Sequence, residues 1–400
     1  MNDLKESEET ISEQAKRNFL ARMSHEMRTP LNAIIGMSTI AQTSEDPEKI
    51  SYCLVKINEA SLHLLGMIND VLDLAYIEAG NLTLTAAEFN FPQMLRRVVE
   101  TIKFTLDAKK QKLILDFDPN LPEIIVTDQQ RLAQVLDNLL SNAVKFTPPE
   151  GTVRLSVKRL KEEGSSSTLE IKVTDTGIGI PREGLKKIFA LFEQGDGSIA
   201  RKYEGTGIGL AISSSIVHLL GGDIRVNSEP WKGSCFSFEI TVKHGDTKTS
   251  ENAASREIGN ASAAGKKPKF AGKTILLAED VEINREIVLS LLEDSGATID
   301  CAENGREAVK LFRKNPENYN AILMDIHMPE MDGLEATRQI RTEEELCSTS
   351  LQKIPIIAMT ANVFNDDIEK CLEAGMTGHL GKPIDFEELM KQLDKYLSPA

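Results

Sequence analysis

Residues 244–272, reading HGDTKTSENAASREIGNASAAGKKPKFAG, are rich in Ser, Ala, Gly, Lys and Asn and show no apolar periodicity. A segment with so little to bury does not offset the conformational entropy of ordering it, and it reads as a flexible linker. That stretch constrains everything else, because no single core can run through it and the chain must fold in parts on either side. At 400 residues and 41% hydrophobic, the chain has apolar material for several cores, and its length suggests two to three domains.

The parts differ in pattern. Residues 2 to about 43 read as one long helix, SEDP (44–47) as a turn and 48–79 as a second helix, with Ile50, Leu54, Ile57, Leu64, Ile68, Val71 and Ala75 at helical spacing. A two-helix hairpin cannot enclose a core alone, so residues 1–80 are expected to pair with a second copy as a dimeric four-helix bundle. Between 85 and 243, strands such as LILDFD, TVRLSVKRL, LEIKVTD and CFSFEITV alternate with helical segments, the pattern of an α/β two-layer sandwich. From 273 to 400, the short apolar strands TILLAED, ATIDCAEN, NAILMDI, IPIIAMT and GHLGKP are separated by helical stretches, the pattern of a doubly wound, flavodoxin-like parallel sheet.

Charge and cysteine usage exclude some roles. A net charge of −15 argues against nonspecific nucleic-acid or anionic-membrane binding, since both need a basic surface. Five scattered cysteines form no CxxC pair, as expected of free thiols in a reducing compartment. No apolar run approaches the roughly 20 residues needed to span a bilayer. The chain begins inside a helical pattern, which points to a sensory or membrane-bound part outside it.

Three groups of residues carry chemistry. The first lies in FLARMSHEMRTPLNAIIG (19–36). At roughly 100° per residue, Met23, Met27, Leu31 and Ile34 form a core stripe with Leu20, and His25 and Thr29 fall nearly opposite, one above the other. His25 is therefore expected in solvent. Pro30 has no N–H for the Glu26 carbonyl and should kink the helix, at about 3 kcal/mol. A neutral imidazole keeps one nitrogen lone pair for attack, and Glu26 could accept the other nitrogen's proton. His63, His218 and His244 read as ordinary surface histidines.

The second group spans the middle of the chain. In RLAQVLDNLLSNAVKFT (131–147), Asn138 and Asn142 lie four apart on one helical face, where neutral amide oxygens can hold Mg²⁺ without repelling phosphates, and Lys145 offers phosphate a point charge. DTGIGI (175–180) puts Asp175 at a strand end, able to accept an amino proton from a base. GTGIGLAIS (205–213) runs a glycine loop into a helix whose free N–H groups suit an anion. Arg201 and Lys202 are candidates to reach phosphate, while Phe189 and Phe192 read as packing residues.

The third group sits at matching strand ends in the last part: Glu279 and Asp280, Asp325, Thr360 and Lys382. In a doubly wound sheet these ends share one edge, where such folds bind ligands. Carboxylates crowded there would repel one another, and a divalent cation relieves that.

The motifs taken together resemble a known family. SHEMRTPLNAIIG resembles the phosphoacceptor box of sensor histidine kinases; this implies phosphorylation of His25, Glu26 as general base, and Thr29 positioning water when the enzyme runs as a phosphatase. The Asn box, DxGxG, FALFEQ (189–194) and GTGxGL together resemble the ATPase domain shared by histidine kinases, type II topoisomerases, mismatch-repair ATPases and a heat-shock chaperone. On that resemblance Asp175 reads adenine, Asn142 binds Mg²⁺, Asn138 and Lys145 approach the phosphates, and Gly177, Gly179, Gly205, Gly207 and Gly209 shape the pocket and lid. The strand-end set resembles the receiver domain of response regulators, in which Asp325 would accept phosphate, Glu279 and Asp280, with Asp325, would hold Mg²⁺, and Thr360 and Lys382 would contact the phosphoryl oxygens. Pro383 would follow a cis bond. The position three before Lys382, often a large aromatic, is His379 here, which puts that switch in doubt. His327 reads as an exposed loop residue.

The whole resembles the cytoplasmic portion of a hybrid sensor histidine kinase. The expected activity is ATP-dependent phosphorylation of His25 followed by transfer to Asp325. The implied partners are a second copy and a downstream histidine phosphotransfer protein or response regulator, with a membrane met only through a sensory region outside the chain. Two other classes stand against this reading: a chaperone-like or topoisomerase-like ATPase, opposed by the His box and the receiver, and a degenerate scaffold, opposed by the presence of every identifiable catalytic position.

Overall fold

A computed structural model of the protein describes residues 2–185, 188–189, 207–245, 269–346, 353–360 and 365–397. The chain divides into two compact units, Met1–Glu257 and Ile258–Ala400.

The first unit opens with two antiparallel helices, α1 (Asn2–Thr43) and α2 (Pro47–Glu78). Asp46 caps α2 by accepting from the Glu48 N–H, and Pro47 occupies the first helical position, where its missing N–H costs nothing. The helix α1 continues through Pro30, which is itself buried. On α2, the buried Cys53, Met67 and Leu74 and the half-buried Ile50, Ile57, Leu64 and Val71 recur at intervals of seven and form the seam against α1. Leu54, Ile68 and Ala75, expected on the same stripe, are exposed instead. They too keep sevenfold spacing, with Leu72 beside them, so the helix carries two apolar stripes and periodicity alone does not say which one meets α1.

Behind the hairpin lies a seven-stranded sheet of β1 (Ala87–Asn90), β2 (Lys112–Phe117), β3 (Ile124–Thr127), β4 (Thr152–Glu163), β5 (Ser166–Asp175), β6 (Arg225–Glu229) and β7 (Gly233–His244), in the order β1-β3-β7-β5-β4-β2 with β6 also on β7. The helices α3 (Phe91–Ala108), α4 (Gln129–Phe146), the short α5 (Arg182–Leu185) and α6 (Gly209–Leu219) complete the unit. Asn90 and Asp128 cap α3 and α4 with their carbonyl and carboxylate oxygens. The apolar face of α4 (Leu132, Val135, Leu136, Leu139, Leu140) is fully buried in the same core as Leu155, Leu169 and Phe238 of the sheet. Each such aliphatic side chain contributes about 1.5–3 kcal/mol.

The second unit is an all-parallel sheet of β8 (Thr274–Ala278), β9 (Thr298–Ala302), β10 (Ala321–Asp325), β11 (Ile356–Thr360) and β12 (Gly378–Gly381), in the order β12-β11-β10-β8-β9. Crossover helices α7 (Glu282–Leu292), α8 (Gly305–Lys314), α9 (Gly333–Leu346) and α10 (Asn365–Glu373) connect the strands, and α11 (Phe386–Leu397) follows β12. Every residue of β10 and β11 is buried, as a sheet covered on both faces requires. The fold is the expected doubly wound, flavodoxin-like one.

Candidate functional site

His25 and Thr29 are exposed on α1, and Glu26 between them is half-buried. The Thr29 hydroxyl donates back to the His25 carbonyl at 3.4 Å, a long bond that little resists release of the side chain.

Asp175 ends β5, whose inward positions Leu169, Ile171 and Val173 are apolar and buried. Strict alternation therefore turns a carboxylate onto the core face. Burial raises its pKa, opposed by the N–H groups of Gly177, at 2.7 Å from Oδ1, and Ser234. At Gly179, φ is +66° and a Cβ would overlap the Glu229 carbonyl, so the loop after Asp175 admits no side chain there. The Ser228 hydroxyl ties this loop to the β6–β7 turn, accepting from the Ile180 N–H (2.8 Å) and donating to the Gly233 carbonyl (2.9 Å).

One face of α4 supplies the next side chains: Arg131, Gln134, Asn138, Asn142 and Lys145 all lie within about 80° on the helical wheel. The Asn138 amide donates to the Ser213 hydroxyl of α6 (2.7 Å) and accepts from the Asn142 amide (3.1 Å). Asn142 is thus held through its NH₂ group, which leaves its carbonyl oxygen as the acceptor for a cation. Asn138 is a link between α4 and α6, a role that spacing did not reveal. Gly209 starts α6 directly against the Asn138 amide, where a Cβ would overlap its oxygen. Gly207 precedes it, and among the described residues no side chain caps α6, whose N-terminal end is of the kind that suits an anion. Lys145 is half-buried beside the Phe146 ring (5.2 Å). Phe189 packs edge-on against Phe236 with ring centroids 6.4 Å apart, as expected of a packing residue. Gly205, Arg201, Lys202 and Phe192 lie outside the described residues.

At its other end the α4 face meets the hairpin. Arg131 Nη1 lies 2.8 Å from both carboxylate oxygens of Asp73 on α2, and Gln134 donates to the same group at 2.7 Å. Both charged side chains are nearly fully buried. The pairing joins residues 58 apart in sequence, so no local spacing pointed to it.

In the second unit the expected strand ends converge. Carboxylate oxygens of Glu279, Asp280 and Asp325 lie within 4.8 Å of one another. Lys382 Nζ bridges Glu279 Oε2 (2.6 Å) and Asp325 Oδ2 (2.7 Å). Burial works to lower the lysine's pKa, but the two carboxylates outweigh it and the net shift is upward, so Lys382 stays charged. Burial, with Glu279 nearby, raises Asp325 despite Lys382. Thr360 is buried at the end of β11, and its carbonyl accepts from the Lys382 N–H (2.7 Å). The Lys382–Pro383 peptide is cis. Three carboxylates against one ammonium leave excess negative charge among oxygen donors, a set that fits a hard divalent cation. His327 is exposed, with only its backbone N–H directed to Asp325 (3.3 Å), and His379 is half-buried on β12.

Two residues here were not anticipated. Asn284 donates to Glu279 Oε1 (2.7 Å), and the Arg285 guanidinium donates to the backbone carbonyls of Glu279 (2.8 Å) and Asp280 (3.0 Å). The polar pair Asn-Arg at the start of α7, four and five residues beyond Asp280, was the available signal.

Comparison with known proteins agrees with this geometry. Residues 15–80 match the His Kinase A (phospho-acceptor) domain, 127–244 the histidine kinase-, DNA gyrase B- and HSP90-like ATPase, and 275–394 the response regulator receiver domain. The chain is 37% identical over 385 residues to the sensor histidine kinase AruS of Pseudomonas aeruginosa, covering 96% of this chain and 36% of that protein. It is 34% identical over 387 residues to the aerobic respiration control sensor protein ArcB of Escherichia coli, covering 95% and 46%. It is also 34% identical over 395 residues to two-component system protein A of Emericella nidulans, covering 96% and 56%. In each case the chain spans only about a third to just over half of the curated relative. Among solved structures, full-length ShkA in complex with AMPPNP aligns over 94% of this chain and 98% of that chain, at 25% identity and a TM-score of 0.43.

Proposed function

The chain belongs to the hybrid sensor histidine kinases, and on that premise we propose that it phosphorylates His25 from ATP and passes the phosphoryl group to Asp325. In the first step a His25 ring nitrogen attacks the γ-phosphorus, the bond to the ADP oxygen breaks, and Glu26 takes the proton from the other ring nitrogen. In the second, an Asp325 carboxylate oxygen attacks, the N–P bond breaks and the imidazole is released. Neither step asks for more than positioning and charge neutralisation. Asp175 would accept the adenine amino proton, Lys145 would meet phosphate, and the N-terminus of α6 after Gly207 would face the same anion. Asn142 in the first unit, and Glu279, Asp280 and Asp325 in the second, would hold Mg²⁺, which supplies charge neutralisation at the transferring group. Lys382 and Thr360 would then contact the phosphoryl oxygens. The domain limits that go with this reading are 1–80, 85–243, a linker 244–272 and 273–400.

The observation that carries the reading is the second pocket: three converging carboxylates with a lysine already spanning the nucleophile and a cation ligand. Such an arrangement suits acceptance of a phosphoryl group. An apolar groove lined by Met23, Met27, Leu31, Leu64 and Val71 beside His25 supports homodimerisation through the hairpin. A downstream histidine phosphotransfer protein or response regulator completes the relay. No helix among the described residues is long and apolar enough to cross a membrane, and we place the chain on the cytoplasmic side of whatever sensory region accompanies it.

The test is incubation with labelled ATP and Mg²⁺. Phosphohistidine is acid-labile and alkali-stable, whereas aspartyl phosphate is lost in alkali. Asp325→Asn should accumulate alkali-stable label, and His25→Ala should abolish labelling. Loss of all label in Asp325→Asn that still binds ATP would mean that His25 is not the first acceptor.

A further inference from the structure

Glu279 is the one member of the carboxylate trio with no solvent exposure at all. Its two oxygens are divided between two donors of different charge: Lys382 Nζ on Oε2 (2.6 Å) and the Asn284 amide on Oε1 (2.7 Å). The difference matters. An ammonium cancels the charge that a cation would be attracted to, whereas a neutral amide fixes the carboxylate without cancelling anything. Lys382 is also shared with Asp325 (2.7 Å). Once it turns to a phosphoryl group on Asp325, its hold on Glu279 weakens and the amide bears the orientation. Arg285 clamps the adjacent backbone carbonyls from the same helical turn, so side chain and main chain are braced together.

We propose that Asn284 is a positioning residue that sets the divalent-cation affinity of this pocket by holding Glu279 in its ligating orientation; the inference rests on reading the pocket as a cation-dependent phosphoacceptor site. The hydrogen bond to a buried ligand carboxylate is an outer-shell contact, whose loss typically costs 10–100-fold in metal affinity. Asn284 is only half-buried, so its substitution does not open the core.

The experiment is Mg²⁺ titration calorimetry on the full chain without nucleotide, with thermal melting of every variant in parallel. Asn284→Leu keeps the volume and removes the donor, and it should raise the Mg²⁺ dissociation constant at least tenfold. Asn284→Gln retains an amide and should stay within about threefold of wild type, less than that outer-shell loss. Should Asn284→Leu not fold, Asn284→Ala takes its place. Wild-type affinity in the folded donorless variant overturns the inference, and so does Asn284→Gln binding as weakly as Asn284→Leu, since shape rather than the amide would then be at issue. Both outcomes leave the pocket reading standing. If instead wild type takes up no Mg²⁺, or Glu279→Gln binds it as well as wild type does, the pocket reading itself fails and takes the role of Asn284 with it.

Discussion

Replacing Arg131 with Met tests how the hairpin is joined to the nucleotide helix. The side chains of Arg131 and Asp73 are 11% and 6% exposed, and the guanidinium nitrogen is 2.8 Å from both carboxylate oxygens. Removing one partner of a buried pair costs about 3–5 kcal/mol, mostly the penalty of leaving the other charge uncompensated. Gln134 still donates to Asp73 at 2.7 Å, which favours the lower end, about 3 kcal/mol. For a unit of this size that corresponds to roughly 6–12 °C in melting temperature. The loss has a ceiling, because α2 can lift from α4 and let Asp73 reach water before either part unfolds. Calorimetry should therefore show the first unit's transition falling while that of residues 269–397 stays in place. Hydrogen exchange should rise around residues 70–77 and 128–136. The double variant Asp73→Leu/Arg131→Met should recover most of the loss, since an apolar pair of matched volume is often as stable as the buried ion pair. A transition within about 1 °C of wild type with unchanged exchange, or a double variant as weak as the single, refutes the reasoning.

Asp70 makes the same junction pH-dependent: burial, then the neighbouring Asp73, pushes its carboxyl up to about 6. A raised carboxyl contributes fully below its unfolded value near 4 and loses that contribution as pH rises through about 6, up to about 3 kcal/mol. Asp70→Asn should thus stabilise the unit at pH 7 more than at pH 4, and equal effects at both would refute the assignment. Thr29→Ala removes one long, exposed hydrogen bond and should change stability by less than about 0.5 kcal/mol. Labelling of His25 should persist while phosphate leaves Asp325 more slowly; equal impairment of both would make the residue structural. Gly209→Ala should displace the Asn138 amide at an overpacking cost of about 1–3 kcal/mol and weaken ATP binding at least tenfold, about 1.4 kcal/mol. Adding Asn138→Ala should relieve the overlap without restoring affinity, and recovered affinity would show that the amide does not serve the nucleotide.

Much of this was legible in the residues because it rests on local periodicity. LEIKVTD running into a glycine turn put Asp175 at a strand end, and matching strand ends brought Glu279, Asp280, Asp325, Thr360 and Lys382 to one edge. The four-residue strands β1 and β3 are too short to alternate visibly, and they are strands because they pair with each other and β3 with β7. The two stripes of α2 were equally periodic, so choosing between them needed the partner helix. What stayed hidden was long-range pairing of polar groups, as with Asp73 and Arg131, or Asn138 and Ser213 on α6. Spacing nonetheless held a clue to their consequence. Arg131, Gln134, Asn138, Asn142 and Lys145 share one face of a single rigid helix, anchored to the hairpin at its first turn and to α6 midway. A displacement of that first turn cannot be absorbed within the helix and must move the Asn142 and Lys145 end as well. The Arg131 variant should therefore be read at the nucleotide as well as in the melt: ATP affinity falling together with docking is the outcome this geometry requires, and undisturbed affinity in an undocked variant would show that α6 alone holds the pocket.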